Sequence, residues 1–177
     1  MVTRQQKAGI YQQHDHRQIK FIELTIMDTT DLAGTIRKIT LEAEKLIPSY
    51  MNNEEDKRIA NGSVAICILD KDGNIYGKMF GANKIRARES FRVAWTKASQ
   101  VHLTGMKTGE FEKLAFNKEI DEKSYGIERP DYIGWVGGQP VTLKDGTKLS
   151  VGFSGFRGIV DLEIVLKAIA GVEETAS

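Results

Sequence analysis

The residues best suited to chemistry lie in one short segment that contains both ionisable and aromatic side chains. Glu128 and Asp131 are carboxylic acids that can take or give a proton, and Arg129 can hold an anionic group. Tyr132 and Trp135 supply an aromatic wall if the segment lines a cleft. The segment predicts acid–base chemistry or ligand binding, against the alternative that these are solvated loop charges.

Two glycine-containing turns and a further carboxylic acid complete the candidate site. Gly137-Gly138 and Ser154-Gly155 can place backbone N–H groups around an anion, because glycine has no side chain in the way. Turn geometry alone also explains glycines at strand ends. Asp161 is a third candidate acid or base, although its place near the start of a predicted helix also suits an N-cap.

A basic run near the start of a predicted helix offers a second way to hold a carboxylate. The run contains Lys84, Arg86, Arg88 and Arg92. Arginine binds a carboxylate through two parallel N–H groups, so Arg86 and Arg88 are ligand-binding candidates. A solvated helix face is the alternative.

The other reactive residues form no recognisable motif. His14 and His16 lack the cysteine or carboxylate partners of a zinc site, and His102 follows a predicted helix, where it can bond the last carbonyls. Cys67 lies within an apolar run and is interpreted as a core residue. The glycine spacings match neither a P-loop nor a dinucleotide fingerprint. We predict no metal site and leave the cofactor open.

Length and charge restrict the class of protein. The chain has 177 residues, of which 41% are hydrophobic and 28% charged, enough for one folded domain. Its net charge of +1 provides no overall field that attracts nucleic acid or an anionic membrane. No run approaches the roughly 20 apolar residues of a membrane helix, and residues 1–17 lack the apolar core of a signal peptide. We expect a cytoplasmic protein that binds neither nucleic acid nor a membrane.

Apolar periodicity predicts an α/β (α+β) fold, in which a single layer of antiparallel sheet packs against amphipathic helices. Residues 1–30 are expected to form an amino-terminal arm with a short edge strand, and residues 31–177 a single domain. The predicted elements are helices at 40–51, 85–101, 110–116 and 160–170, a hairpin at 63–80, and short strands at 133–136, 141–143 and 148–153. We expect Pro48 to kink or end the first helix, and Lys97 to lie off the apolar face of the second.

Four short motifs occur in a fixed order between about residues 40 and 171. The first is a strand that ends in Asp70 and is followed by Gly73-Asn74, and the second is Met79-Phe80-Gly81-Ala82, followed by a helix with Ser90, Ala94 and Lys97. The third is Gly137-Gly138-Gln139-Pro140, followed by Asp145-Gly146. The fourth is Gly152-Phe153-Ser154-Gly155, followed by Asp161. This order resembles the GlcG/HbpS-like family, which includes haem-binding proteins and the carboxy-terminal domain of PduO proteins.

The resemblance implies a homo-oligomer with a pocket for a small molecule, either haem or a small carboxylate. Haem-binding members can present a histidine from the first helix, whereas this chain has none between His16 and His102. Phe80 and Phe156 replace an acidic residue and a glycine of the family pattern. We therefore expect an aromatic pocket walled by Phe80, Phe156 and Trp135, with arginines at its rim.

Three functions remain open on the sequence. The first is small-ligand binding of the GlcG/HbpS-like type. The second is a cofactor-independent hydrolase, isomerase or lyase acting on a small polar catabolite, with Glu128, Asp131 or Asp161 as acid or base. The third is a structural or regulatory oligomer without ligand or turnover.

Overall fold

The computed structural model describes residues 32–175, so the predicted arm and its edge strand lie outside the described residues. Lys38–Ser177 groups as one compact unit, and residues 32–37 fall in a separate amino-terminal unit. The elements are α1 (32–50), α2 (Glu54–Ala60), β1 (Ser63–Asp70), β2 (Ile75–Gly81), α3 (Lys84–Thr104), α4 (Thr108–Phe116), a 3₁₀ turn (Glu122–Tyr125), β3 (Gly138–Thr142), β4 (Lys148–Ser154) and α5 (Gly158–Thr175).

The four strands form one antiparallel sheet in the order β2-β1-β4-β3. β1 is a central strand, and all eight of its residues are buried, which explains its continuous apolar run. On one face, Ala65, Cys67 and Leu69 of β1 form a buried cluster with Ala94 and Ala98 of α3. α3 therefore covers this face of the sheet.

Helices α1 and α5 lie side by side on the opposite face. Lys78 of β2 pairs in register with Ile66, which points away from α3, and its ammonium forms an ion pair with Glu44 of α1 at 2.6 Å. Lys167 of α5 donates a hydrogen bond to the Tyr50 hydroxyl of α1 at 3.1 Å. The predicted α+β fold, an antiparallel sheet packed against helices, is confirmed.

The predicted strand at 133–136 is wrong. This segment belongs to no strand, because side chains bind its backbone groups: Ile133 donates to Gln100, and Trp135 accepts from Thr108. The sheet resumes at Gly138, as the first residue of β3. α1 is helical from residue 32 rather than 40, and it ends two residues after Pro48.

Candidate functional site

A cleft of about 450 Å³ lies between α3 and the loop that precedes β3. α3 contributes Arg92 and Thr96, α4 contributes Glu112, and the loop contributes residues 130–135. We call this set of residues the α3 cleft. Arg92 and Thr96 are four positions apart, so they occupy the same side of the helix. The cleft therefore combines part of the predicted basic run with part of the predicted aromatic segment.

Three exposed ionisable side chains line the α3 cleft. They are Arg92, Glu112 and Asp131, and none forms an ion pair with another described residue. Trp135 stands beside them with 68% of its surface exposed. The cleft thus offers one cation, two carboxylates and an aromatic face to a molecule that enters it.

Tyr132 holds the loop at residues 129–132 in place. Its ring is 7% exposed and meets the Phe111 ring edge-on at 5.3 Å. Its hydroxyl donates to the Glu122 carboxylate and accepts from the Arg129 Nε, each at 2.7 Å. Burial raises the pKa of Tyr132, so this phenol stays protonated at neutral pH. Arg129 is thereby committed to the loop and does not line the α3 cleft.

Three side chains hold the backbone of the loop at residues 133–136. Gln100 Oε1 accepts from the Ile133 N–H at 2.9 Å, and the Thr108 hydroxyl donates to the Trp135 carbonyl at 2.7 Å. The Lys97 ammonium donates to the Val136 carbonyl at 2.8 Å. Since the bonding groups belong to α3 and the first turn of α4, the helices determine where Trp135 stands.

Behind this loop lies a buried ion pair. Lys97 and Asp161 have side chains 1% and 3% exposed, and their charged atoms are 3.0 Å apart. Lys97 also donates to the Phe153 carbonyl at 2.8 Å, and Asp161 accepts from the Phe156 N–H at 3.0 Å. Burial raises the pKa of Asp161 to about 7 and lowers the pKa of Lys97, and the attraction between the two charges opposes both shifts.

This position corrects two expectations. Asp161 lies inside the first turn of α5, and its carboxylate accepts from Phe156, which precedes the helix, so it is not the N-cap. Lys97 is buried on the sheet-facing side of α3, not off the apolar face. Its spacing of three residues from Ala94 and four from Val101 was the available signal, since both neighbours are buried.

Gly137 and Gly138 pack tightly against the ion pair. A Cβ on Gly137 would lie 2.7 Å from the Lys97 ammonium, and Gly137 has a φ of +118°, which favours glycine. A Cβ on Gly138 would lie 2.3 Å from the Thr108 methyl group. Both glycines are buried, so the structure places them in the wall behind Trp135.

The remaining charged candidates lie elsewhere. Arg86 donates to the Ile59 carbonyl at 3.0 Å and so joins α3 to α2, whereas Arg88 is exposed outside the α3 cleft. Glu128 is exposed and lies 3.7 Å from the Lys123 ammonium. Of the three predicted acid–base residues, Asp131 is therefore the one that lines the α3 cleft.

The aromatic candidates do not gather around one pocket. Phe156 is 5% exposed and stacks on Phe153 with ring centres 6.4 Å apart. Phe80 is 6% exposed and Ser154 is 8% exposed. Trp135 is exposed beside α3, so it does not share a wall with either phenylalanine.

Sequence reasoning did not single out Thr96, Gln100, Thr108 or Glu112. The helical spacing of Thr96 from Arg92 was a usable signal. No sequence pattern indicated that Glu112 lines the cleft, because its position there depends on how α4 packs against the loop at Gly134.

The residues of the α3 cleft do not fit haem. The cleft has no histidine, cysteine or methionine in its lining, and the Tyr132 hydroxyl is already bound by Glu122 and Arg129. His102 is exposed and lines a different cleft, of about 410 Å³. Within residues 32–175, no three histidine, cysteine or acidic side chains are grouped as a metal site would require. Over the same range, no helix combines the length and apolar character of a membrane span.

Comparisons with known proteins place the fold. No family model and no curated protein matches the sequence. The Klebsiella pneumoniae protein ORFY, of family DUF336, aligns with a TM-score of 0.58 and 16% identity over 78% of this chain and 88% of its own. The haem complex of PduOC aligns with a TM-score of 0.54 and 18% identity over 77% of this chain and 91% of its own.

A double mutant of Streptomyces reticuli HbpS also aligns, with a TM-score of 0.48 and 19% identity over 76% of this chain and 84% of its own. The chain has the GlcG/HbpS-like fold, as the order of its motifs predicted. This conclusion rests on the alignments with ORFY and PduOC.

Proposed function

We propose that the chain binds a small aromatic acid in the α3 cleft, and that this acid also carries an amine or hydroxyl group. The observation behind the proposal is the placement of Arg92, which has no ion-pair partner among the described residues, beside the exposed ring of Trp135. A volume of about 450 Å³ falls within the usual range of small-molecule pockets, about 300–1,000 Å³.

The charges of the cleft suggest the class of ligand. The guanidinium of Arg92 suits a carboxylate, to which it can donate two N–H groups. Asp131 and Glu112 suit a group that donates hydrogen bonds, such as a hydroxyl or an amine. Trp135 suits a planar ring, since aromatic rings stack with offset faces.

The fold gives independent support for ligand binding. PduOC, which shares the fold, is known as a haem complex, and haem is a planar molecule with carboxylate groups. The α3 cleft offers Arg92 and Trp135 for a planar carboxylate, without the usual axial ligands for iron. We therefore propose a ligand smaller than haem, and we expect that adding haem leaves its Soret band unshifted.

Binding is a better interpretation than catalysis at the predicted acids. Glu128 is solvated beside Lys123, and Asp161 is enclosed with Lys97. Of the three predicted acids, Asp131 alone lines the α3 cleft, and there it is exposed to solvent.

The test is isothermal titration calorimetry with 4-hydroxybenzoate and 4-aminobenzoate, against benzoate and phenol. We expect the two bifunctional acids to bind more tightly than either simple compound. Arg92→Gln should weaken their binding by about tenfold or more, because a hydrogen bond to a charged group contributes about 1.5–3 kcal/mol. Arg88→Gln is the matched control, since Arg88 is exposed one turn earlier and does not line the cleft. Absence of binding heat with both bifunctional acids, or equal losses in the two variants, contradicts the proposal.

We further propose a cytoplasmic homo-oligomer. Ile75 and Met79 of β2, the outer strand of the sheet within residues 32–175, are 56% and 54% exposed, and such apolar groups are often covered by another subunit. The chain mass is 19.8 kDa, and light scattering should give at least twice this value. A mass of one chain contradicts the oligomer without affecting the ligand proposal.

A further inference from the structure

We propose that Lys97 is a positioning residue of the α3 cleft, because it holds the Val136 carbonyl and thereby sets the orientation of Trp135. This inference deepens the proposed function and rests on it for the use of the cleft as a binding site. Lys97 itself does not line the cleft, so its effect on a ligand would pass through the loop backbone.

The donors and acceptors around Lys97 are fully matched. An ammonium group has three N–H donors. The Lys97 ammonium has three acceptors, which are the carbonyls of Val136 and Phe153 at 2.8 Å and the Asp161 carboxylate at 3.0 Å. Because the side chain is 1% exposed, water does not compete for these bonds. The Val136 carbonyl is therefore connected to β4 and α5 through the Lys97 ammonium.

The hydrogen bond from Lys97 to the Val136 carbonyl lies at a point in the loop that matters for Trp135. Gly137 and Gly138 follow Val136 directly, and glycine permits backbone rotations that other residues resist. On the other side, Ile133 and Trp135 are held by Gln100 and Thr108. Beyond Val136, the Gly137 carbonyl accepts from the Phe153 N–H at 3.0 Å, and the Gly138 N–H donates to the Thr108 hydroxyl at 3.3 Å. Lys97 supplies the bond to the Val136 carbonyl itself, and without it this peptide is held only through its neighbours.

Asp161 offsets part of the free-energy cost of burying the Lys97 ammonium, because its carboxylate lies 3.0 Å from that group. Its Oδ2 accepts from Lys97, and its Oδ1 accepts from the Phe156 N–H at 3.0 Å. In an Asp161→Asn variant, the amide oxygen still provides an acceptor. If Lys97 then loses its proton, the neutral amine retains two N–H donors, which is the number that the Val136 and Phe153 carbonyls require. The Val136 bond should therefore survive this substitution.

Because the bond to Val136 should survive Asp161→Asn, its loss can be tested by comparing two variants that differ only at Lys97. The chain has two tryptophans, Trp95 and Trp135, so Trp95→Phe leaves Trp135 as the sole reporter. In that background, Asp161→Asn is compared with Lys97→Met/Asp161→Asn. Both lack the buried carboxylate, and they differ only at Lys97.

The first readout is the fluorescence anisotropy of Trp135 without any ligand, together with its quenching by acrylamide. We expect lower anisotropy in the Lys97→Met/Asp161→Asn protein than in Asp161→Asn, because the loop gains freedom, and a changed quenching constant. The second readout is calorimetry with 4-hydroxybenzoate, which should bind about tenfold or more weakly to the double variant than to Asp161→Asn. Far-ultraviolet circular dichroism establishes that both proteins are folded.

If Lys97→Met/Asp161→Asn does not fold, Lys97→Gln/Asp161→Asn replaces it, since its shorter amide reaches fewer of the carbonyls while remaining polar. A folded double variant with the anisotropy of Asp161→Asn overturns the positioning role, whatever the ligand result. A different result separates the two proposals. If 4-hydroxybenzoate binds neither the Trp95→Phe protein nor its Asp161→Asn variant, but the anisotropy falls as expected, the proposed ligand class is wrong and the control of Trp135 by Lys97 stands.

Discussion

The Arg157 guanidinium donates to both carboxylate oxygens of Asp56, with Nε–Oδ1 and Nη2–Oδ2 distances of 2.9 and 2.8 Å. Asp56 is 2% exposed in the first turn of α2, and Arg157 immediately precedes α5. The pair therefore joins two elements that are distant in sequence. The hydrogen bonds from Arg157 hold the pKa of Asp56 below its ordinary value.

Replacing Asp56 should destabilise the fold measurably. Asp56→Asn removes a charge-assisted pair and leaves a buried amide beside a guanidinium, so we expect a loss of about 1–3 kcal/mol in the free energy of unfolding. Urea unfolding measures this change. Glu55→Gln is the matched control, because Glu55 is an exposed partner of the same Arg157 at 3.2 Å. It should cost less than about 1 kcal/mol, and equal losses would contradict the importance of the buried pair.

Gly152 lets α3 lie directly on β4. A Cβ there would be 2.1 Å from the Ala94 carbonyl oxygen and 2.8 Å from the Ala98 nitrogen, and neither backbone atom can move without shifting the helix. Gly152→Ala should therefore lower the free energy of unfolding by about 1–3 kcal/mol, as overpacking does. Thermal unfolding tests it beside Gly171→Ala in α5, where the added Cβ makes ordinary contacts at 3.8 Å with Glu42. The control should be neutral or stabilising by up to about 1 kcal/mol.

Cys67 should be unreactive in the folded protein. Its side chain is buried in the centre of β1, and burial raises the pKa of the thiol to about 11. Because the thiolate is the reactive form, a disulfide reagent should label Cys67 only as fast as the protein unfolds. Labelling followed at increasing urea concentration checks this expectation. Fast labelling in the absence of urea would show that β1 opens locally.

The elements with strong local patterns could be predicted from the sequence. β1 is an unbroken apolar run, and Asp70 with Gly73 identifies the turn that follows it. The predicted segment from Asp131 to Trp135 lies in one cleft, because its residues are neighbours in sequence. Local pattern failed at 133–136, where side chains of α3 and α4 replace strand partners.

The buried ion pair shows why the rest of the site could not be predicted. Lys97 and Asp161 are 64 positions apart, and each taken alone resembles an ordinary charged helix residue. Their meeting depends on α3 and α5 both reaching the end of β4, where Lys97 bonds the Phe153 carbonyl and Asp161 the Phe156 N–H. That relationship is tertiary, and no spacing in the sequence contains it.

The same pair should make the stability of the protein depend on pH below neutrality. The pKa of Asp161 is raised from its ordinary 3.8 to about 7 in the folded chain, chiefly by burial. Between about pH 4 and pH 7, the folded protein therefore keeps a proton that the unfolded chain has released. The contribution of Asp161 to the free energy of unfolding is fully present at the acid end of this range. It decreases as pH rises toward 7.

Urea unfolding of the wild type and of Lys97→Met/Asp161→Asn at several pH values from 4.5 to 7.5 isolates this contribution. The double variant has neither titrating group, while Asp56, whose pKa is lowered, is present in both proteins. We expect the stability of the wild type relative to the variant to fall steadily from pH 4.5 to pH 7. The lowered pKa of Lys97 acts in the opposite direction, in the range up to its ordinary value of 10.5, where stability rises with pH. A stability difference that is constant between pH 4.5 and pH 7 would contradict a net effect of the raised pKa of Asp161 on stability in this range.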